Sequence, residues 1–331
     1  MGGKRKEMKN YFSIIIPTYN SEKYIRRCLD SMLGQTNQNY EIIIVDDAST
    51  DKSSTIIYEY MKENQKIKYI HLEENVGPGI ARNIGIEHAN YEHILFCDSD
   101  DYFEPNLLSR MDGILIKNKD IDIIHFRGNT FRETAVLAHY EMEAFILYDN
   151  DTIIDGKNFL KEKGHEIVGS IYFTLFKTKF LKDNNLKFVK SSHMEDLLFM
   201  YQALYEAKKI YCINDKLYNR VYRPNSLTTS GQTRKRLEEL VYITDAAYNY
   251  LKNHSDIYHL FYRFLIWACL KTKSFFDIDC SVRILQNMSV KYKDFNDLHR
   301  DSMLLIKETI DELERRKMGK YTFNSKQNIS F

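Results

Sequence analysis

Short apolar runs alternate with stretches of helical periodicity through the first third of the chain. Ser13-Ile14-Ile15-Ile16 is a β-branched run that stops at Pro17. Ser21 is a candidate cap for the next helix, where Tyr24, Ile25, Cys28, Leu29, Met32 and Leu33 recur at helical spacing. Glu41 to Val45 is a second apolar run, followed by the turn-rich Asp46-Asp47-Ala48-Ser49-Thr50-Asp51. Ile56, Ile57, Tyr60 and Met61 mark a second helix, Ile67 to Leu72 a third strand and Ile80 to His88 a third helix. His93 to Cys97 is a fourth strand that ends in Asp98-Ser99-Asp100-Asp101, and a helix opened by Pro105 follows.

Continuous apolar strands alternating with helices predict an α/β fold with a parallel sheet covered on both faces. Ligands of such sheets bind at the carboxyl ends of the strands. Here every strand end carries polar residues: Thr18-Tyr19-Asn20, Asp46-Asp47, Asn75, then Asp98 and Asp100. The middle of the chain is less regular. It reads as a strand at Ile121 to Phe126, helices at Gly156 to Lys163, Thr178 to Asn184 and Glu195 to Ala207, and strands at Lys209 to Ile213 and Lys216 to Arg223. Beyond Gly231 the pattern is helical to about Lys317 and then polar, which predicts disorder. The expected division is a flexible 1–10, a domain over 11–230 and a helical region over 231–331.

Composition narrows the function. The 331 residues carry a formal net charge of +1, which argues against a nucleic-acid partner. Five cysteines, an odd number with no pair at metal-finger or redox spacing, read as reduced thiols. No apolar run approaches the roughly 20 residues of a spanning helix, and the basic first ten residues lack a leader's apolar stretch. A cytoplasmic protein is expected. Tyr258 to Phe276 mixes Phe261, Phe264, Leu265 and Trp267 with Arg263, Lys271 and Lys273. Such a helix packs on its own domain or a second subunit, or lies on the inner face of a membrane.

Asp98-Ser99-Asp100 is the sharpest chemical feature. Two carboxylates two apart at a strand end can face one hard divalent cation, Mn²⁺ or Mg²⁺, which would bridge to a substrate diphosphate. An isolated Asp-x-Asp is more often a turn; its place after an apolar strand favours the metal.

Four segments together carry a resemblance. They are Ser13-Ile14-Ile15-Ile16-Pro17-Thr18-Tyr19-Asn20, Ile44-Val45-Asp46-Asp47-Ala48-Ser49-Thr50-Asp51, Asn75-Val76-Gly77-Pro78-Gly79-Ile80-Ala81-Arg82-Asn83-Ile84-Gly85 and Phe96-Cys97-Asp98-Ser99-Asp100-Asp101. In that order and spacing the chain resembles the inverting GT-A glycosyltransferases of family 2 of bacterial polysaccharide synthesis. The resemblance implies a Rossmann-like, mixed and mainly parallel sheet, with a nucleotide-binding half at about 11–126 and an acceptor half at about 127–230. The reaction it implies is sugar transfer from a nucleotide-sugar, a UDP-sugar, to a hydroxyl of a glycan or lipid-linked acceptor.

By the same resemblance Pro17, Thr18, Tyr19 and Asn20 wall the nucleoside pocket, and Asp46 or, preferably, Asp47 reads the base edge. Gly77 and Gly79 let the backbone approach the nucleotide. Arg82 and Asn83 reach the diphosphate or sugar, and Ser99 lies with them on the donor. Asp98 and Asp100 hold the metal. Asp196 of Glu195-Asp196-Leu197-Leu198-Phe199 is the general base, with Glu195 and His193 on the acceptor. Arg223 and Ser226 close over the phosphates. The chain departs from the family segment in carrying Arg220 where an aromatic is usual, and no glycine just before Glu195. A nucleotidyltransferase lacks support because no Gly-rich loop follows the first strand, and a dehydrogenase because Gly77-Pro78-Gly79-Ile80-Ala81-Arg82 ends in Arg82. The alternative is a nucleotide-sugar or glycan-binding protein without transfer activity.

Overall fold

The structure, a computed structural model, describes residues 10–132, 151–164, 167, 171–191, 194–222, 233–273, 278–292 and 299–317. The chain divides into two compact units, Met1–Ser230 and Gly231–Phe331.

The first unit is built on one sheet. The apolar runs of the sequence become β1 (Phe12–Thr18), β2 (Tyr40–Asp46), β3 (Ile67–His71) and β4 (His93–Phe96), which pair in parallel in the order β3-β2-β1-β4. Ile14, Ile15, Ile16, Ile42, Ile43 and Ile44 have no exposed surface, as expected of strands covered on both faces. Helices α1 (Ile25–Leu33), α2 (Ser53–Glu63) and α3 (Pro78–His88) make the crossovers, and α4 (Leu107–Lys117) follows the acidic turn. Ser21 caps α1 with its carbonyl, which takes the Tyr24 and Ile25 N–H groups at 2.9 Å each. Its hydroxyl goes elsewhere, to Ser99.

Beyond β4 the sheet becomes mixed, with further strands β5 (Tyr102–Phe103), β6 (Ile123–Arg132), β7 (Thr152–Ile154), β8 (Thr174–Lys177) and β9 (Ile210–Tyr222). β8 lies antiparallel between β4 and β6, β6 runs parallel to β9, and β5 and β7 pair antiparallel to β9. The two strands expected at Lys209 to Ile213 and Lys216 to Arg223 are one, β9, whose pairing with β6 is offset at His125 to Gly128. The polar Asn214-Asp215 between the two expected strands sits in this irregular register, where a bulge keeps the strand continuous. Helices α5 (Gly156–Lys163), α6 (Thr178–Asp183) and α7 (Glu195–Glu206) complete the unit.

The second unit is helical over the described residues: α8 (Arg234–Leu251), α9 (Phe261–Lys273), α10 (Ile278–Lys291) and α11 (His299–Lys317). Phe261, Phe264, Leu265 and Ala268 of α9 are buried, and the helix packs against α8, α10 and α11. Phe261, Phe264 and Leu265, which the sequence offered to a membrane surface or a second subunit, thus lie inside their own unit. Among the described residues no helix is long and apolar enough to cross a membrane.

Candidate active site

Register places the chemistry. Thr18 pairs with Asp46, Asp46 with His71, and Ile15 with Phe96, so the polar ends of β1 to β4 lie side by side. Pro17 and Thr18 are buried, whereas Tyr19 is 47% exposed at the rim. Asn20 takes a left-handed φ of 47°, and its side-chain oxygen accepts the Thr50 N–H at 2.8 Å, tying the β1 end to the loop after β2.

The two carboxylates after β2 have separate roles. Asp46 is fully buried and accepts from Ser49 N–H (3.0 Å), Ser54 Oγ (2.8 Å) and Tyr69 OH (2.6 Å), with His71 Nδ1 at 3.2 Å. Burial alone would raise its pKa, but the Ser49, Tyr69 and Ser54 donors outweigh it and hold it below the ordinary value. This is the turn carboxylate; its lone pairs are committed to Ser49 of the loop, Ser54 of α2 and Tyr69 of β3. Asp47 accepts the N–H groups of Val76 (2.7 Å) and Gly77 (2.9 Å), and burial raises its pKa against those two donors. Gly77 opens α3 at φ 90°, a conformation that suits glycine, and a Cβ there would meet open space. Gly79 differs from expectation: a Cβ there would lie 2.9 Å from Val189 O and 3.0 Å from Glu195 Cγ, so its bareness serves packing against the segment leading to α7.

The acidic turn after β4 gathers Asp98, Asp100 and Asp101, whose ligand oxygens lie within 4.8 Å of one another. Asp101, to which the sequence reading gave no role, is 2% exposed and accepts from Tyr218 OH (2.6 Å) and Val221 N–H (2.7 Å). Burial, then Asp100 and Asp98, drive its pKa well up. Tyr218 OH also accepts the Asp98 N–H at 3.2 Å, so β9 holds the turn from behind. Asp98 and Asp100 stay part-exposed in front. An all-oxygen donor set with two accessible carboxylates and a braced third fits a hard divalent cation such as Mn²⁺ or Mg²⁺. The Ser99 hydroxyl is 2.6 Å from Ser21 Oγ and joins the ends of β4 and β1 rather than facing outward.

One side chain links this turn to the opposite half of the unit. Arg82, one turn into α3 and 5% exposed, donates from Nη2 to Asp98 Oδ1 at 2.8 Å and from Nη1 to Glu195 Oε1 at 3.1 Å. Burial pulls against its charge; Asp98, Glu195 and, farther off, Asp196 outweigh that and raise its pKa. Its guanidinium lies over the Phe188 ring at 5.5 Å, and Phe188 stacks on Phe199 of α7 at 3.9 Å. Asn83 clamps the Phe188 main chain, donating to its carbonyl at 2.8 Å and accepting its N–H at 2.9 Å. The amide that the sequence assigned to the donor is therefore engaged in holding α3 to the 188 segment. Phe188 and Tyr172, likewise unassigned from the sequence, carry only the signal of buried aromatic residues.

Asp196 begins α7 beside Glu195. Burial, then the Glu195 charge, push its carboxyl up to about 8, against the pull of Arg82 and of the Leu197 N–H that it accepts at 2.8 Å. A carboxylate so placed is a candidate general base: once ionised it is a stronger proton acceptor than an ordinary aspartate. Thus Arg82, Asp98, Glu195 and Asp196 converge, with Asp100 on the same turn as Asp98. His193, Arg223 and Ser226 lie outside the described residues.

Comparisons with known proteins give the family. The family model for glycosyl transferase family 2 matches residues 13–184. Poly(ribitol-phosphate) beta-N-acetylglucosaminyltransferase TarS of Staphylococcus aureus is 34% identical over 220 residues, 62% of this chain and 35% of its own length. Glycosyltransferase GlyG of Streptococcus pneumoniae is 30% identical over 222 residues, 66% of this chain and 72% of its own. The chain thus spans most of GlyG but about a third of TarS. The crystal structure of S. aureus TarS 1–349 in complex with UDP-GlcNAc superposes with a TM-score of 0.65 at 22% identity, covering 95% of this chain and 93% of that one. The shared fold is GT-A, and with the family model matching more than half of its length the chain belongs to glycosyl transferase family 2 and is a glycosyltransferase.

Proposed function

We propose that the chain transfers a hexosyl or N-acetylhexosaminyl group from a UDP-sugar to a hydroxyl of a cell-surface glycan or lipid-linked acceptor, with inversion at the anomeric carbon. The observation that carries this reading is the Arg82 bridge, which fixes the acidic turn and the start of α7 within one guanidinium's span. On this reading the donor diphosphate lies at Asp98 and the acceptor at Asp196, on opposite sides of one reacting carbon. TarS supports the donor class, because its structure holds UDP-GlcNAc.

Asp98 and Asp100 would hold Mn²⁺ or Mg²⁺, which when bound supplies positive charge to the leaving diphosphate. Asp196 takes the proton of the acceptor hydroxyl. The acceptor oxygen forms its bond to the anomeric carbon as the carbon–oxygen bond to the β-phosphate breaks, and the electron pair leaves on the phosphate oxygen. One in-line displacement inverts the configuration, giving a β-linked product from an α-linked donor. Glu195, paired with Arg82, positions Asp196 and borders the acceptor side. Asp47 retains acceptor capacity beyond its two bonds, since a carboxylate offers about four lone-pair sites. An acceptor there suits the imide N–H of uracil and rejects cytosine, which has no proton on that ring nitrogen.

The test is nucleotide release from a panel of UDP-, GDP-, dTDP- and CMP-sugars, with and without acceptor glycans. UDP-sugars are expected to turn over fastest, and NMR of the product to show inversion. Preference for another nucleotide by tenfold or more, about 1.4 kcal/mol, would overturn the base assignment. Retention in the product would overturn the single displacement.

A further inference from the structure

Arg220 lies on β9 between Tyr218 and Tyr222, at the spacing that puts all three side chains on one face of the strand. Its guanidinium carbon is 5.5 Å from the centroid of the Tyr172 ring and 5.4 Å from that of Tyr222. Tyr172 in turn stacks on Tyr218 at 5.2 Å, and Tyr218 holds Asp101 and the Asp98 main chain. Arg220 is therefore fixed by aromatic contacts to the framework that braces the acidic turn.

What it lacks among the described residues is a polar partner. Among the described residues its contacts are the two rings; no carboxylate comes within ion-pair distance and no acceptor within hydrogen-bond distance. Stacking engages the faces of a guanidinium and leaves its rim of N–H donors available. A guanidinium stays protonated in proteins, so Arg220 carries its charge despite its burial. Arg82 is the contrast: both ends of its fork are committed to Asp98 and Glu195, so it reaches a phosphate only by releasing a carboxylate. The wall thus presents an acidic cluster suited to a cation and, joined to it through Tyr218 and Tyr172, an uncommitted cation suited to an anion. A diphosphate bridged by a divalent cation satisfies both at once.

We propose that Arg220 is a donor-diphosphate contact, binding the phosphate oxygens and stabilising the charge that they gain as the sugar departs. The inference rests on the nucleotide-sugar reading above and adds a residue to it.

The experiment measures the affinity of UDP, UMP and uridine by calorimetry in Mn²⁺ buffer for the whole chain, for Arg220→Gln and for Arg220→Lys. Arg220→Gln is expected to weaken UDP by about tenfold or more, as for loss of a charge-assisted phosphate contact, while uridine stays within about twofold. Arg220→Lys keeps the charge without the fork and should recover part of the loss. Unchanged UDP affinity in Arg220→Gln, or equal weakening of UDP and uridine, overturns the proposal while leaving the donor reading intact. A wild-type chain with no preference for UDP over uridine overturns the donor reading and this inference together. Thermal melts check folding; should Arg220→Gln fail to fold, the UDP-to-UMP affinity ratio of Arg220→Lys decides, a ratio equal to wild type counting against the proposal.

Discussion

In the proposed mechanism two residues at the start of one helix divide the work that a general base requires. Glu195 neutralises Arg82, and its charge beside Asp196 keeps the second carboxyl basic. Asp196→Asn preserves size and polarity but accepts no proton, so turnover should fall by about 10² to 10⁴ while UDP and metal bind normally. Near-normal turnover would reassign the base. The pH dependence follows from the same shift. On the proposed mechanism ionised Asp196 is the active form, so kcat/KM should rise with pH along a limb well above the ordinary 3.8 and no higher than about 8, a bound cation lowering it within that window. Stability moves the other way. The folded pKa exceeds the unfolded one, so the folded state holds its proton more tightly, and the contribution is lost as pH rises through about 8. Asp196→Asn should therefore melt above wild type at pH 8, with the difference vanishing near pH 4; equal melting at both would place the carboxyl in an ordinary environment. Arg82 gives a second residue-level prediction. Removing one partner of a buried ion pair leaves uncompensated charge, so Arg82→Met should destabilise the fold by about 3–5 kcal/mol in urea unfolding, and adding Glu195→Gln should restore part of it.

At the scale of elements, α3 is the piece that brings the halves together, and its approach to the sheet depends on one missing side chain. A Cβ on Gly85 would lie 2.3 Å from Ile15 Cγ2 in β1, a strand residue with no exposed surface and nowhere to move. Gly85→Ala should destabilise by about 1–3 kcal/mol, the range for overpacking. Gly113→Ala, at an exposed position of α4 where a Cβ meets nothing, should instead stabilise by about 0.5–1 kcal/mol. Opposite signs in parallel urea titrations check the pair; equal effects would mean that α3 has slack against β1. These elements also show what was legible in advance. The four isoleucine-rich strands and their strand-end polar residues could be read because burial on both faces leaves an unbroken apolar run. β5 and β7 were missed because they are two and three residues long, below the length at which periodicity speaks, and β8, though as long as β4, because Thr174 and Lys177 leave it only two apolar residues, Leu175 and Phe176. Within the site, Asp98, Asp100, Asp46 and Asp47 were visible as charges at strand ends. Which partner each takes was not, because Arg82 meets Glu195 across 113 positions of sequence and Asp101 meets Tyr218 across 117. Asn83 and Ser99 were assigned outward roles for the same reason: their partners, Phe188 and Ser21, become neighbours only once the sheet closes.

For the whole molecule, Asp98, Asp100, Arg82, Glu195 and Asp196 all belong to the first unit, while α8 to α11 form a unit with its own buried aliphatic and aromatic residues. Ligand that binds only the folded state stabilises by mass action, about 2.7 kcal/mol at a hundredfold excess over Kd. With UDP and Mn²⁺ together, that increment should appear in the first unit. Hydrogen exchange should show added protection at the ends of β1, β2 and β4 and at the starts of α3 and α7, and little change in α8 to α11. The metal's share can be separated, because the acidic turn meets the nucleotide through charge: like-charged carboxylates and phosphates repel unless a cation lies between them. In excess chelator UDP should therefore lose most of its stabilising effect, whereas uridine, which has no phosphate, should lose none. Asp100→Ala should reproduce the chelator's effect in buffer that contains metal, since it removes one of the two part-exposed carboxylates while Asp101, held by Tyr218 and Val221, keeps the turn in place. Full stabilisation by UDP in chelator would mean that the acidic turn does not act through a metal, and protection spread evenly over both units would mean that they unfold as one.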